Sequence, residues 1–162
     1  MFGRKTKVML AEGEPAPAFE LKKLQGGQQS LGEILKAGPA LFAFYKVSCP
    51  VCQLTAPYLE RLSAGGKIQI VGVSQDDAES TQSFNQRFGV TFPTLLDQAS
   101  EGYPASNAYG ISSVPSLFLV EPDGRVSKSF NGFSKRDLED LGARAGVAPF
   151  RPDEKVPDWK AG

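Results

Sequence analysis

Histidine is absent from the 162 residues, and cysteine occurs only twice. The first absence removes Cys–His and Ser–His–Asp catalysis, most zinc chemistry and histidine-based pH switching. Net charge is missing as well. Eighteen lysines and arginines balance 18 aspartates and glutamates, so no overall field draws the chain toward nucleic acid or an anionic membrane, and neither partner is expected. No apolar run approaches the roughly 20 residues of a membrane-spanning helix. In Met1–Ala11 three basic residues precede only four apolar ones, too few for the apolar heart of a secretion signal, so a cytoplasmic location is expected. The polar chemistry that remains belongs to thiols and carboxylates.

What is present is concentrated. Both cysteines fall in Cys49-Pro50-Val51-Cys52. A disulfide stabilises mainly by closing a long loop in the unfolded chain, and a loop this short constrains little of it, so the pair suits exchange better than stapling. In a reducing compartment the spacing points to redox chemistry or metal binding, but a full zinc site needs four ligands and the chain has only two of the usual kind. If a helix starts between the cysteines, Cys49 sits at its exposed N-terminal end, where free N–H groups and the macrodipole favour a thiolate. Cys52 would lie about one turn further on, as the resolving thiol.

Length and a hydrophobic content of 41% fit one domain with a sizeable core. Residues 1–12 read as a loose arm, 13–146 as the domain, and 147–162, with three prolines, as an irregular tail anchored at the surface by Trp159. Phe19 and Leu21 before Gly26-Gly27 suggest a hairpin, and Ser30-Leu31-Gly32-Glu33 is a capping box opening a short helix. Leu41–Tyr45 reads as a strand buried on both faces, aimed at the cysteines. Leu54, Tyr58, Leu59 and Leu62 continue a helix interrupted at Pro57. A second buried strand follows over 68–73, then a helix over 78–88 capped by Asp76 or Asp77. Residues 89–97 read as a connecting segment with a short extended piece. A short helix near Tyr103–Tyr109, a hairpin about Glu121-Pro122-Asp123-Gly124 and a helix over 135–145 complete the domain.

Strand, CxxC at a helix start, helix, strand, helix, then Val-Pro before a hairpin and a last helix resembles the thioredoxin fold. The likeness is to its TlpA-like branch, grouped with AhpC/TSA-like domains, carried by Gly13–Phe19, Phe44–Leu59, Val71–Ser74, Arg87–Asp97 and Tyr109–Gly124. The resemblance implies an α/β, thioredoxin-like class with a central mixed sheet flanked by helices and an N-terminal β-hairpin extension. It implies a thiol–disulfide oxidoreductase with Cys49 as attacking and Cys52 as resolving thiol, Pro57 as the helix-bending proline, and Pro115 as a cis-proline whose loop faces the dithiol. Val114, before that proline, would pair with extended substrate backbone. No cofactor or metal is implied. The partners implied are a disulfide-bearing client protein or small thiol, and an electron-donating reductase or thiol.

Three positions depart from the family. Ser48 stands where tryptophan is common, and the buried acid of relatives would fall at Ala43 or at Thr55, neither of which titrates. Water, Asp76, Asp77 or Lys46 are left to manage the proton, so Lys46, Ser48 and Pro50 count as possible modulators of the dithiol. Two other classes compete. A peroxiredoxin-like thiol peroxidase would carry Pro-x-x-x-Thr-x-x-Cys, but Phe42 and Lys46 occupy its first two fixed positions. A redox-inactive binding module would have no need of an intact CxxC.

Overall fold

The computed structural model describes residues 8–162. Seven strands form one mixed sheet: β1 (Glu20–Lys23), β2 (Gln28–Ser30), β3 (Ala40–Tyr45), β4 (Gln69–Ser74), β5 (Thr94–Leu96), β6 (Ser116–Val120) and β7 (Val126–Asn131), in the order β2-β1-β5-β4-β3-β6-β7. β4 runs parallel to both β3 and β5, whereas β6 is antiparallel to β3. All six residues of β3 are buried, as an unbroken apolar run requires of a strand covered on both faces. The β1–β2 hairpin turns at Gly26-Gly27, and Ser30 with Glu33 forms the reciprocal capping box at α1 (Leu31–Leu35).

Helices α2 (Pro50–Ser63), α3 (Ala78–Phe88), α4 (Pro104–Ala108) and α5 (Lys135–Ala145) complete the α/β arrangement. Asp77 caps α3 by accepting from Ser80 N, Ser134 caps α5 by accepting from Asp137 N, and Gly89 and Gly146 end these helices in the left-handed conformation. These are the start and stop signals their sequences carry. α2 turns Cys52, Thr55, Ala56, Leu59 and Leu62 inward and keeps Pro57 in its interior.

The register β3–β6 positions the site. Phe44 lies opposite Ser116, so the end of β3 that leads to Cys49 and the start of β6 that follows Pro115 share one edge of the sheet. Chain segments 65 residues apart are thereby brought together.

Three expectations are revised. Residues 94–96, the short extended piece expected within a connecting segment, are a full member of the sheet between β1 and β4. Of the arm expected over 1–12, residues 1–7 lie outside the described residues, and the rest is not loose: Leu10 is buried, its N–H donates to Tyr109 O at 3.0 Å, and its carbonyl accepts from Ser129 Oγ at 2.6 Å. The tail over 147–162 is not irregular throughout, because β9 (Trp159–Lys160) pairs antiparallel with β8 (Phe133–Ser134). Trp159 is not its anchor, being 59% exposed. Phe150 and Glu154 hold the tail instead: Phe150 packs 4.9 Å from the Tyr58 ring, and Glu154 is bound by Arg61.

Candidate active site

Cys49 is the residue at which the chain enters α2, and its own sulfur caps the helix. Its backbone is extended, Pro50 follows as the first helical residue, and Cys52 N–H donates to Cys49 Sγ at 3.1 Å. A sulfur thus stands where serine or aspartate oxygen usually accepts the orphan N–H of a first turn. Proline at that first position has no N–H to leave unpaired. The entering loop is fixed from three directions: Val47 N donates to Asp76 Oδ2 at 2.8 Å, Gln53 Nε2 to Val47 O at 3.1 Å, and Cys49 N to Lys46 O at 3.2 Å.

Both cysteines are free thiols, Cys49 partly accessible and Cys52 buried at 2% exposure. Burial, with the hydrogen bond to Cys49 adding to it, pushes the Cys52 thiol well above its usual range. Ala43, Tyr45, Thr55, Ala56, Phe92 and Pro115 wall the narrow space beside it. Thr55 Oγ1 donates to Val51 O at 2.7 Å, and the Tyr45 hydroxyl donates to Asn85 at 2.8 Å, with burial raising the Tyr45 pKa as well. The surroundings of Cys52 favour the neutral thiol.

Opposite the cysteines, the Val114–Pro115 bond is cis. The Cys49 thiol donates to Val114 O at 3.4 Å, so Cys49, Cys52, Val114 and Pro115 are brought to one place. Lys46, Ser48 and Pro50 are exposed around them. Of the two aspartates expected near the dithiol, Asp76 is engaged by the loop before it and Asp77 by the cap of α3.

A cleft of about 270 Å³ adjoins Val114, lined among others by Lys46, Gln75, Tyr103, Ser106 and Asn107. Its far wall hangs on Asp97, which is fully buried and accepts from Ala105 N at 2.9 Å and Ser106 N at 2.7 Å. Sequence reading missed this wall, because an aspartate seven residues before a short helix carries no local signal that it will bind that helix's start. Among the described residues no three Cys, Asp or Glu side chains converge as metal ligands would.

A model of the AhpC/TSA family matches residues 13–129. The chain belongs to the AhpC/TSA family. Within it, the thiol–disulfide oxidoreductase ResA of Geobacillus thermodenitrificans is 31% identical over 139 residues, covering 82% of this chain and 77% of that protein. ResA of Bacillus subtilis is 29% identical over 130 residues, covering 78% and 70%. The crystal structure of the thioredoxin domain of a thiol-disulfide oxidoreductase from Bacteroides vulgatus superposes with a TM-score of 0.74 at 26% identity, covering 83% of this chain and 97% of that one. The AhpC/TSA chain is thus a thioredoxin-fold enzyme of the TlpA-like, thiol–disulfide oxidoreductase branch.

The unequal surroundings of the two thiols lead to a kinetic expectation. At pH 7.5, iodoacetamide should label Cys49 in the Cys52→Ser variant at least about tenfold faster than Cys52 in the Cys49→Ser variant, because the buried thiol stays protonated and shielded. Mass-resolved alkylation time courses measure both rates. Equal rates, or faster labelling of Cys52, would contradict the difference in environment.

Proposed function

We propose that the enzyme exchanges disulfides with protein or small-thiol substrates through the Cys49-Pro50-Val51-Cys52 dithiol, with Cys49 attacking and Cys52 resolving. The observation that carries this reading is the double engagement of one sulfur: Cys49 Sγ caps α2 and faces the Val114 carbonyl beside Pro115. The Cys49 thiolate attacks one sulfur of a substrate disulfide. That S–S bond breaks, a mixed disulfide forms, and the leaving thiolate takes up a proton. Cys52 then gives up its proton and attacks Cys49 Sγ, forming the Cys49–Cys52 disulfide and releasing the second substrate thiol. Two electrons and two protons have passed to the substrate. A reductase or thiol returns them in a reducing compartment, where the net direction is substrate reduction.

Extended substrate docks on Val114, whose peptide groups lie next to the attacking sulfur, as in strand addition to an exposed edge. Lys46, Ser48 and Pro50 border the path to the sulfur. The Cys52 proton leaves through water or the substrate's own leaving thiolate, since neither Ala43 nor Thr55 titrates.

A redox titration against glutathione tests the proposal. It should give one two-electron transition joining Cys49 to Cys52, at a potential between about −270 and −120 mV, the range of exchange-active CxxC pairs. A potential below about −300 mV, the mark of a structural bridge, would overturn it. So would the absence of any intramolecular disulfide.

A further inference from the structure

The tail leaves α5 at Gly146 and returns to the active-site edge. Arg61 of α2 grips it, donating to both carboxylate oxygens of Glu154 at 2.6 and 2.9 Å and to Pro149 O at 2.9 Å. The Arg61 guanidinium, helped by Arg151 N–H, holds the Glu154 carboxyl down to about 2, so the clamp stays charged at physiological pH. Further on, Lys135 N donates to Asp158 O at 3.0 Å, and β9 adds to β8 in the register Ser134↔Trp159 and Phe133↔Lys160. β8 follows directly from β7 through Gly132, whose N–H donates to Pro115 O at 2.8 Å. A strand added to β8 is therefore led toward Val114.

Two glycines record how closely it approaches. A β-carbon at Gly132 would overlap Lys160 O, and one at Gly162 would overlap Val114 O while standing 2.8 Å from its carbonyl carbon and 3.3 Å from Pro115 N. Backbone meets backbone at both points because neither residue has a side chain. The Val114 oxygen that Gly162 abuts is the one that accepts the Cys49 thiol.

We propose that residues 159–162 form an intrachain strap over the Val114 end of the polypeptide-docking edge, which an extended protein substrate displaces and a small disulfide bypasses. This rests on the reading that Val114 docks substrate beside Cys49. The strap is built to open. Its strand β9 is only two residues long and both are exposed, whereas the anchors Phe150 and Glu154 lie upstream and hold when β9 separates from β8. Protein disulfides are thereby penalised relative to small ones, by the fraction of molecules in which the strap is closed.

The test compares an insulin disulfide with hydroxyethyl disulfide in the full chain and in the Trp159→Pro/Lys160→Pro double variant, which removes both N–H groups of β9 and leaves the anchors. kcat/KM for insulin should rise about fivefold or more while that for the small disulfide stays within about twofold, since only the first substrate competes with the strap. Unchanged or lower insulin reduction with the small-disulfide rate intact would overturn the strap. Should the double variant misfold, hydrogen exchange on an unaltered strap decides. In Cys52→Ser, residues 159–162 should exchange at least about tenfold faster when Cys49 carries an extended peptide as a mixed disulfide than when it carries a methylthio group. Equal exchange would overturn the proposal. Failure of the unmodified protein to reduce hydroxyethyl disulfide would tell against the underlying dithiol reading, not against the strap.

Discussion

Cys49→Ser is expected to abolish disulfide reduction, lowering turnover by at least about three orders of magnitude, because a hydroxyl at this position is not ionised and cannot form a mixed disulfide. Cys52→Ser should lose multiple turnover to a similar degree for a different reason. It keeps the attacking sulfur at the helix cap but lacks the group that releases the adduct, so it should react once and stop. The two variants thus share a steady-state defect and differ in pre-steady state: a burst of released substrate thiol equal to the enzyme concentration for Cys52→Ser, and none for Cys49→Ser. Stopped-flow detection of the released thiol measures this. A burst from both variants would show that the cysteines are interchangeable, contrary to their different burial and hydrogen bonding.

The largest structural effect is expected at Tyr109. Its side chain is fully buried, with ring centroids 5.4 Å from Phe44, 5.3 Å from Phe118 and 6.2 Å from Phe19, and its hydroxyl donates to Pro17 O at 2.9 Å. It joins β3, β6 and the segment leading to β1 behind the active-site edge, while its N–H and carbonyl bind Ala105 O and Leu10 N. Tyr109→Ala should cost about 3–5 kcal/mol, the range for emptying a buried aromatic site. That is a large share of a total stability of about 5–15 kcal/mol. Tyr109→Phe keeps the ring contacts and loses one hydrogen bond, so it should cost only about 1 kcal/mol. Urea denaturation at 25 °C separates the two. A loss below about 1.5 kcal/mol for the alanine variant would mean that the cavity collapses and that the aromatic cluster contributes less than its burial suggests.

Elements whose signals are local were legible in the sequence. The cap of the helix over 78–88 was placed at Asp76 or Asp77, and the capping box of Ser30 and Glu33 was visible in four residues. The convergence of Val114 and Pro115 on the cysteines was not local and came from family resemblance. Its physical cause, the register of Phe44 against Ser116, appears only in the sheet. β5 was underestimated because a three-residue strand has too little periodicity to register, and its place between β1 and β4 depends on partners far along the chain. β9 was missed for the same reason, since its two residues become a strand only by pairing with Phe133–Ser134, 25 positions away in the register Ser134↔Trp159. Trp159 looked like an anchor because tryptophan is usually buried. The Arg61–Glu154 pair that anchors the tail joins residues 93 apart, a separation that charge patterning cannot reveal.

The division of labour between the two cysteines is the centre of the account, and peptide mapping of a trapped adduct tests it most directly. Each single-cysteine variant is mixed with a protein disulfide at pH 7.5, acid-quenched and digested without reduction. The substrate is expected on the peptide that carries Cys49 in the Cys52→Ser variant, in amounts close to one per chain, with little or no adduct on Cys52 in the Cys49→Ser variant. Equal adduct on both variants, or adduct predominantly on Cys52, would contradict it.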